Sequence, residues 1–203
     1  MIWLLRCLCL VPAAVLAVQS PLSLYDSSQY QQSPIRPRVK VPVQLGVMSR
    51  CPDALLCETI FNQVLERATE KINLSLTYVA ECVHIVLLSF LSYACLRVDS
   101  SEPDFGVRCM HGAEECAGNV QQLCVAKHET SSRWWEFVQC QNYEGRERIG
   151  NPDVTLMCAR TVGIDWNTSQ TGKCAGLDGC GRGTEGVRLL KESAVASDLL
   201  GIK

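Results

Sequence analysis

Val39, Val41, Val43, Leu45 and Val47 alternate strictly with other residues near the start of the ordered pattern. A period of two predicts a half-buried strand. Cys51-Pro52-Asp53 follows and reads as a helix start, with the cysteine at the N-cap and the proline at the first helical position. Leu56, Ile60, Val64 and Ala68 then recur at helical spacing, and Ala54, Leu55, Phe61 and Leu65 widen that apolar face. Ile72, Leu74, Leu76 and Tyr78 alternate again, leaving Asn73, Ser75 and Thr77 for the wet side. Residues 39–80 thus predict strand, helix, strand, with a helix long enough to cross between parallel strands.

The pattern breaks at residues 81–97. From Cys82 to Leu96 the chain is apolar all round, without a helical or strand period, and is too short to span a bilayer. A buried helix is the plain expectation. The flanks Thr77-Tyr-Val-Ala80 and Val98-Asp-Ser-Ser-Glu-Pro103 read well when joined, which points to an insert, either a translated intron or a lineage-specific addition. The second half is loop-rich with short helices. One runs from Glu114 to Lys127 with Cys116, Val120 and Cys124 on one side. Others cover Ser131 to Cys140, Asn151-Pro152 to Val162, and Thr184 to Leu200, with a glycine-rich loop from Ala175 to Gly183.

The first residues set the compartment. Met1 to Arg6 is short and positive, Cys7 to Val18 is apolar, and small residues around Ala17 suit cleavage, so residues 1–17 read as a secretory signal peptide. Residues 18–38, rich in Ser, Gln and Pro, read as a flexible lead-in to one domain over 39–203. Loss of Arg6 moves the net charge from −2 to −3. So mild an acidic balance speaks against a nucleic-acid partner or a basic membrane-binding face. Of 13 cysteines, Cys7 and Cys9 leave with the leader, so the mature chain keeps eleven. At that density, in an oxidising compartment, cysteines read as disulfides, and an odd number leaves at least one outside an internal pair. The sequons at Asn73 and Asn167 fit a secreted glycoprotein.

Two groups of residues carry candidate chemistry. Cys51 follows a strand and caps a helix, whose N-terminal amides and partial positive charge favour an anion there. It reads equally as a nucleophile or as a structural half-cystine. The second group is Cys109-Met-His111-Gly-Ala-Glu114-Glu115-Cys116-Ala-Gly-Asn119 with Cys124 beyond. It is either a disulfide framework or, using Cys109, His111, Cys116 and Cys124, a zinc site. With no Cys-x-x-Cys knuckle in an exported chain, the framework is preferred, and neither a metal nor an organic cofactor is expected. Cys174 and Cys180 read as a local bridge closing the glycine-rich loop. The structural disulfide candidates are therefore Cys109, Cys116, Cys124, Cys140, Cys158, Cys174 and Cys180.

The spacing Cys-x-His-Gly-x-x-Glu-Cys-x-x-Asn over 109–119, the following Cys124, the upstream Cys51 helix and the downstream Trp134-Trp135-Glu136-Phe137 run resemble the gamma-interferon-inducible lysosomal thiol reductase family. The resemblance implies an α/β (α+β) fold, a thioredoxin-like βαβ core with a helical, disulfide-rich insertion. It implies a secreted or endolysosomal protein that reduces disulfides of protein substrates, usually at acidic pH. The chain departs from the family pattern in three ways. Ala54 stands where the second cysteine of Cys-x-x-Cys belongs, so the pair would be Cys51 and Cys57. Six helical residues rise about 9 Å, beyond the roughly 7 Å between α-carbons that a bridge tolerates, so pairing needs residues 52–56 in a loop or distorted turn. The strands expected after the last helix are missing, as if the sequence were truncated at its C-terminus. The 81–97 insert has no counterpart; without its Cys82 and Cys95, nine mature cysteines would be left. Sequence therefore points to a thiol oxidoreductase with Cys51 as nucleophile and Cys57 as resolving thiol. The alternatives are a non-catalytic, disulfide-stabilised binding protein on the same scaffold, or a misannotated product that does not fold. The oligomeric state is open at this level.

Overall fold

The computed structural model describes residues 39–82 and 104–202. They belong to one compact unit. β1 (Val41–Val47) leads through Met48–Cys51 into α1 (Pro52–Ala68), and β2 (Ile72–Tyr78) returns beside β1. The two strands pair in parallel, from Val41 opposite Ile72 to Val47 opposite Tyr78. Just past β2, Glu81 and Arg108 form an isolated antiparallel bridge, each N–H donating to the other's carbonyl at 2.8 and 3.0 Å. Then come α2 (Ala113–His128), α3 (Ser131–Tyr143), a 3-10 turn (Arg146–Arg148), α4 (Pro152–Thr161), α5 (Gln170–Ala175) and α6 (Thr184–Leu199). The strand alternations over 39–47 and 72–78 and the helix starts at Pro52, Pro152 and Thr184 appear as read from sequence, except that Thr77, expected on the wet side, is buried. The 3-10 turn and α5 are too short to leave a period, so the chain carries no sign of them in its pattern.

The core forms around α2, which packs against α3, α5 and α6. That position explains why residues from Glu115 to Val125 are buried nearly all round, including Asn119, Gln121 and Gln122. Buried amides need partners, and here they supply one another. The Tyr78 hydroxyl donates to Gln122 Oε1 at 2.8 Å, and Gln122 Nε2 donates to Gln141 Oε1 at 2.9 Å. Gln141 Nε2 donates to Gln121 Oε1 at 2.9 Å, and Gln121 Nε2 ends the chain on the carbonyls of Gly150 and Gly179 at 3.0 and 2.8 Å. α6 lies over β2, where the Tyr78 amide donates to Ser193 Oγ at 2.7 Å.

Three disulfides lie among the described residues: Cys109–Cys116, Cys124–Cys174 and Cys140–Cys158, with α-carbons 5.6, 5.7 and 5.7 Å apart. Cys82 is also disulfide-bonded. The expected Cys174–Cys180 bridge is not formed. Cys174, on α5, faces α2 and is taken by Cys124, while the Cys180 thiol is held by Asp178, which also accepts from the Cys180 amide at 3.1 Å. The apolar face of α1 is a second correction. Leu56, Ile60 and Val64 are 56, 53 and 38 % exposed, whereas Ala54 and Glu58 are buried. Helix α1 carries apolar residues on two sides, and packing against α3 selected the side of Ala54, Phe61 and Leu65, which sequence placed only at the margin of the apolar face. The leader, the lead-in and most of the proposed insert fall outside the described residues.

Candidate functional site

The loop Met48–Cys51 is held mainly by the 109–119 motif. Ser49 is 1 % exposed; its amide donates to Asn119 Oδ1 at 3.0 Å and its hydroxyl to the Glu115 carbonyl at 3.2 Å. The Arg50 amide donates to Glu115 Oε2 at 3.3 Å, and that carboxylate, fully buried, also meets His111 Nδ1 at 2.5 Å and accepts from the His111 amide at 3.3 Å. Asn119 Nδ2 points at Cys109 Sγ from 3.8 Å. The Cys109–Cys116 bridge closes the turn that carries His111, and Gly112, at φ +89°, caps α2 in a conformation that suits glycine. Asn119 and Glu115 are thus the receptors for the loop before Cys51, and His111 holds the Glu115 carboxylate in place for it.

Arg50 anchors the other side. Its Nε donates to the Ile149 carbonyl at 2.8 Å and a terminal nitrogen to the Glu147 carbonyl at 3.0 Å. Gly118 and Gly150 allow the approach. A β-carbon on Gly118 would stand 2.7 Å from both Ser49 Oγ and Ile149 Cγ2, and one on Gly150 would stand 1.9 Å from the Glu114 carbonyl oxygen.

Cys51 itself is the N-cap of α1, half-buried, its amide donating to the Met48 carbonyl at 2.9 Å and its carbonyl accepting from Leu55 at 3.1 Å. It holds a thiol, as does Cys57. Because α1 is helical from Pro52 onward, residues 52–56 do not form the loop that a Cys51–Cys57 bridge requires. The rise of about 9 Å keeps the two α-carbons beyond bridging distance. Ala54 sits at the buried position one turn in.

Sequence reasoning missed a buried acid. Glu58 is 1 % exposed, and Asn142 Nδ2 donates to its Oε2 at 2.6 Å. Burial raises its pKa to about 7, against the opposing pull of the Asn142 hydrogen bond. Tyr78, fully buried, is pushed up as well, by burial and then by the charge of Glu58. The available signal was a second row, Ala54, Glu58, Phe61 and Leu65, at helical spacing on α1. His128 Nε2 meets Glu185 Oε2 at 3.3 Å. A cleft of about 290 Å³ lies between α1, β2 and α3, lined by Leu65, Thr69, Asn73, Trp134 and Trp135 among others. It sits at the C-terminal end of α1, so it is no part of the Cys51 environment.

A helix-capping thiol, at the end of a loop held by the disulfide-closed 109–119 motif, within a helical shell tied by further disulfides, defines a disulfide-braced α+β thiol protein. The model of the family described as gamma interferon inducible lysosomal thiol reductase (GILT) matches residues 42–162, and the chain belongs to that family. A search of the curated proteins finds no match. The family is one of thiol reductases acting on disulfide-bonded proteins in general, lysosomal or secreted. No described helix is long and apolar enough to cross a membrane.

Proposed function

We propose that this chain is a thiol oxidoreductase that reduces protein disulfides by exchange at Cys51. The observation that carries it is the seat of Cys51: a thiol at a helix N-cap whose loop is fixed by Asn119, Glu115 and Arg50. The Cys51 thiolate attacks one sulfur of a substrate disulfide, forms a mixed disulfide and releases the other sulfur as a thiolate. A second thiol then attacks Cys51 Sγ, which releases the remaining substrate sulfur. Cys57 serves as that second thiol only if the first turns of α1 unwind, so an external small thiol is the route that the helical geometry supports. A further external thiol then regenerates Cys51, and each substrate disulfide consumes two equivalents of reductant. The thioredoxin-like fold, the 1–17 leader, secretion or endolysosomal delivery, and glycans on the exposed Asn73 and Asn167 belong to the same proposal. The helical spacing of Cys51 and Cys57 also favours a second reading, a non-catalytic binding protein stabilised by its disulfides.

The test is disulfide reduction by Cys51→Ser and Cys57→Ser variants at acidic and neutral pH, with a small thiol as reductant. Cys51→Ser loses at least roughly 100-fold in rate, and Cys57→Ser stays within about threefold when the small thiol is abundant. Unchanged reduction by Cys51→Ser would overturn the catalytic reading and leave the binding protein. A large loss in Cys57→Ser would restore it as the resolving thiol.

A further inference from the structure

We propose that Glu58 and Asn142 form a proton-held latch between α1 and α3, closed by two hydrogen bonds while the carboxyl group is neutral and weakened to one when that group ionises. The two side chains already meet, Asn142 Nδ2 donating to Glu58 Oε2 at 2.6 Å. What remains on each is an acceptor: Glu58 Oε1 and Asn142 Oδ1 are both buried, and neither has a hydrogen-bond partner. A carboxylate leaves both unmet, because neither group holds another proton aimed at them. One proton on Oε1 satisfies both at once. Oε1–H then donates to Oδ1 while Nδ2–H donates to Oε2, closing a two-bond ring between acid and amide. Exchanging the oxygen and nitrogen of the Asn142 amide does not change the count, since two bare acceptors would then face each other at 2.6 Å.

The surroundings offer the charge nothing in return. From β2, the fully buried Tyr78 commits its proton to Gln122. From α3, Trp134 Nε1 lies against the Tyr78 hydroxyl but makes no hydrogen bond of ordinary geometry. Among the described residues no cation pairs with Glu58. Burial accordingly holds the acid at about 7, so it is neutral in an acidic compartment and charged above neutrality. Glu58 lies two turns into the helix that Cys51 caps, so the latch fixes the seat of that helix on α3. The inference stands whether or not Cys51 is catalytic.

Two measurements on the full chain test it. In the first, the carboxyl carbons of ¹³C-labelled glutamates are followed by NMR through a pH titration. One signal moves near pH 7 and is missing in Glu58→Gln. In the second, unfolding is compared at pH 5 and pH 8. The Glu58→Gln amide makes the same ring without a titrating proton. The wild-type unfolding equilibrium constant therefore rises roughly 100-fold more between the two pH values than that of the variant. A Glu58 signal that titrates with the exposed glutamates, or a variant whose pH dependence matches the wild type, would overturn the latch. Should Glu58→Gln not fold, the wild-type titration decides on its own.

Discussion

At the scale of the residue, the loop before Cys51 is set by single atoms. Asn119 Oδ1 is the acceptor for the buried Ser49 amide. Asn119→Ala should cost about 1–3 kcal/mol in urea unfolding, because a buried N–H is left without a partner. Gly150 offers a sharper contrast. It adopts φ +90°, and a β-carbon there would meet the Glu114 carbonyl oxygen at 1.9 Å, whereas Gly145, at φ +95°, has nothing within 4 Å. Gly145→Ala bears only the backbone strain, about 1–3 kcal/mol. Gly150→Ala bears the strain and the clash, and should cost more than about 4 kcal/mol, reaching the range where folding itself fails. Equal losses in the two variants would refute the close packing of α2 on this turn. Both asparagine and glycine stood in the sequence, but their partners, Ser49 and Glu114, are brought to them only by folding.

At the scale of the element, the disulfides rank themselves by the loops they close. Cys124–Cys174 spans a sequence separation of 50 and ties α2 to α5, while Cys140–Cys158 spans 18 and ties α3 to α4. Loop-closure entropy assigns about 4 kcal/mol to the first and about 3 to the second. Replacing both cysteines of a pair by serine should therefore lower the melting temperature more for 124/174 than for 140/158. The reverse order would mean that packing at α3–α4 outweighs chain entropy. Sequence identified these cysteines as bridge candidates and paired Cys174 with Cys180, its neighbour in the chain. Adjacency in sequence was the only guide there. Folding brings α5 against α2, and it leaves Cys180 as a thiol that burial and its Asp178 hydrogen bond push upward. The helix α1 teaches the same point about faces. Its period is plain in the residues, yet apolar side chains occupy two sides, and only the position of α3 decides that Glu58 goes in and Leu56 stays out.

At the scale of the whole molecule, pH acts through Glu58. Its pKa is raised on folding, from an ordinary value of 4.5 to about 7, so between those values the folded protein holds a proton that the unfolded chain has lost. Stability then falls as pH rises through this window: the contribution is complete below about 4.5 and gone above about 7. The full shift corresponds to roughly 3 kcal/mol at most. Because the group is buried, added salt should change this part of the pH profile little.

The sequence by itself determined the β–α–β opening, the helix starts at Pro52, Pro152 and Thr184, the cysteine framework, and the family through the 109–124 spacing. These are local properties: alternation, capping residues and fixed intervals act over a few positions, so they can be read from the chain. Tertiary structure alone decided which face of α1 is buried, which cysteine meets Cys174, that Asn119 and Glu115 grip the loop before Cys51, and that Glu58 shares its place with Asn142. Each of those depends on a partner tens of residues away, and a linear pattern of polar and apolar positions carries no information about which distant surface will cover it.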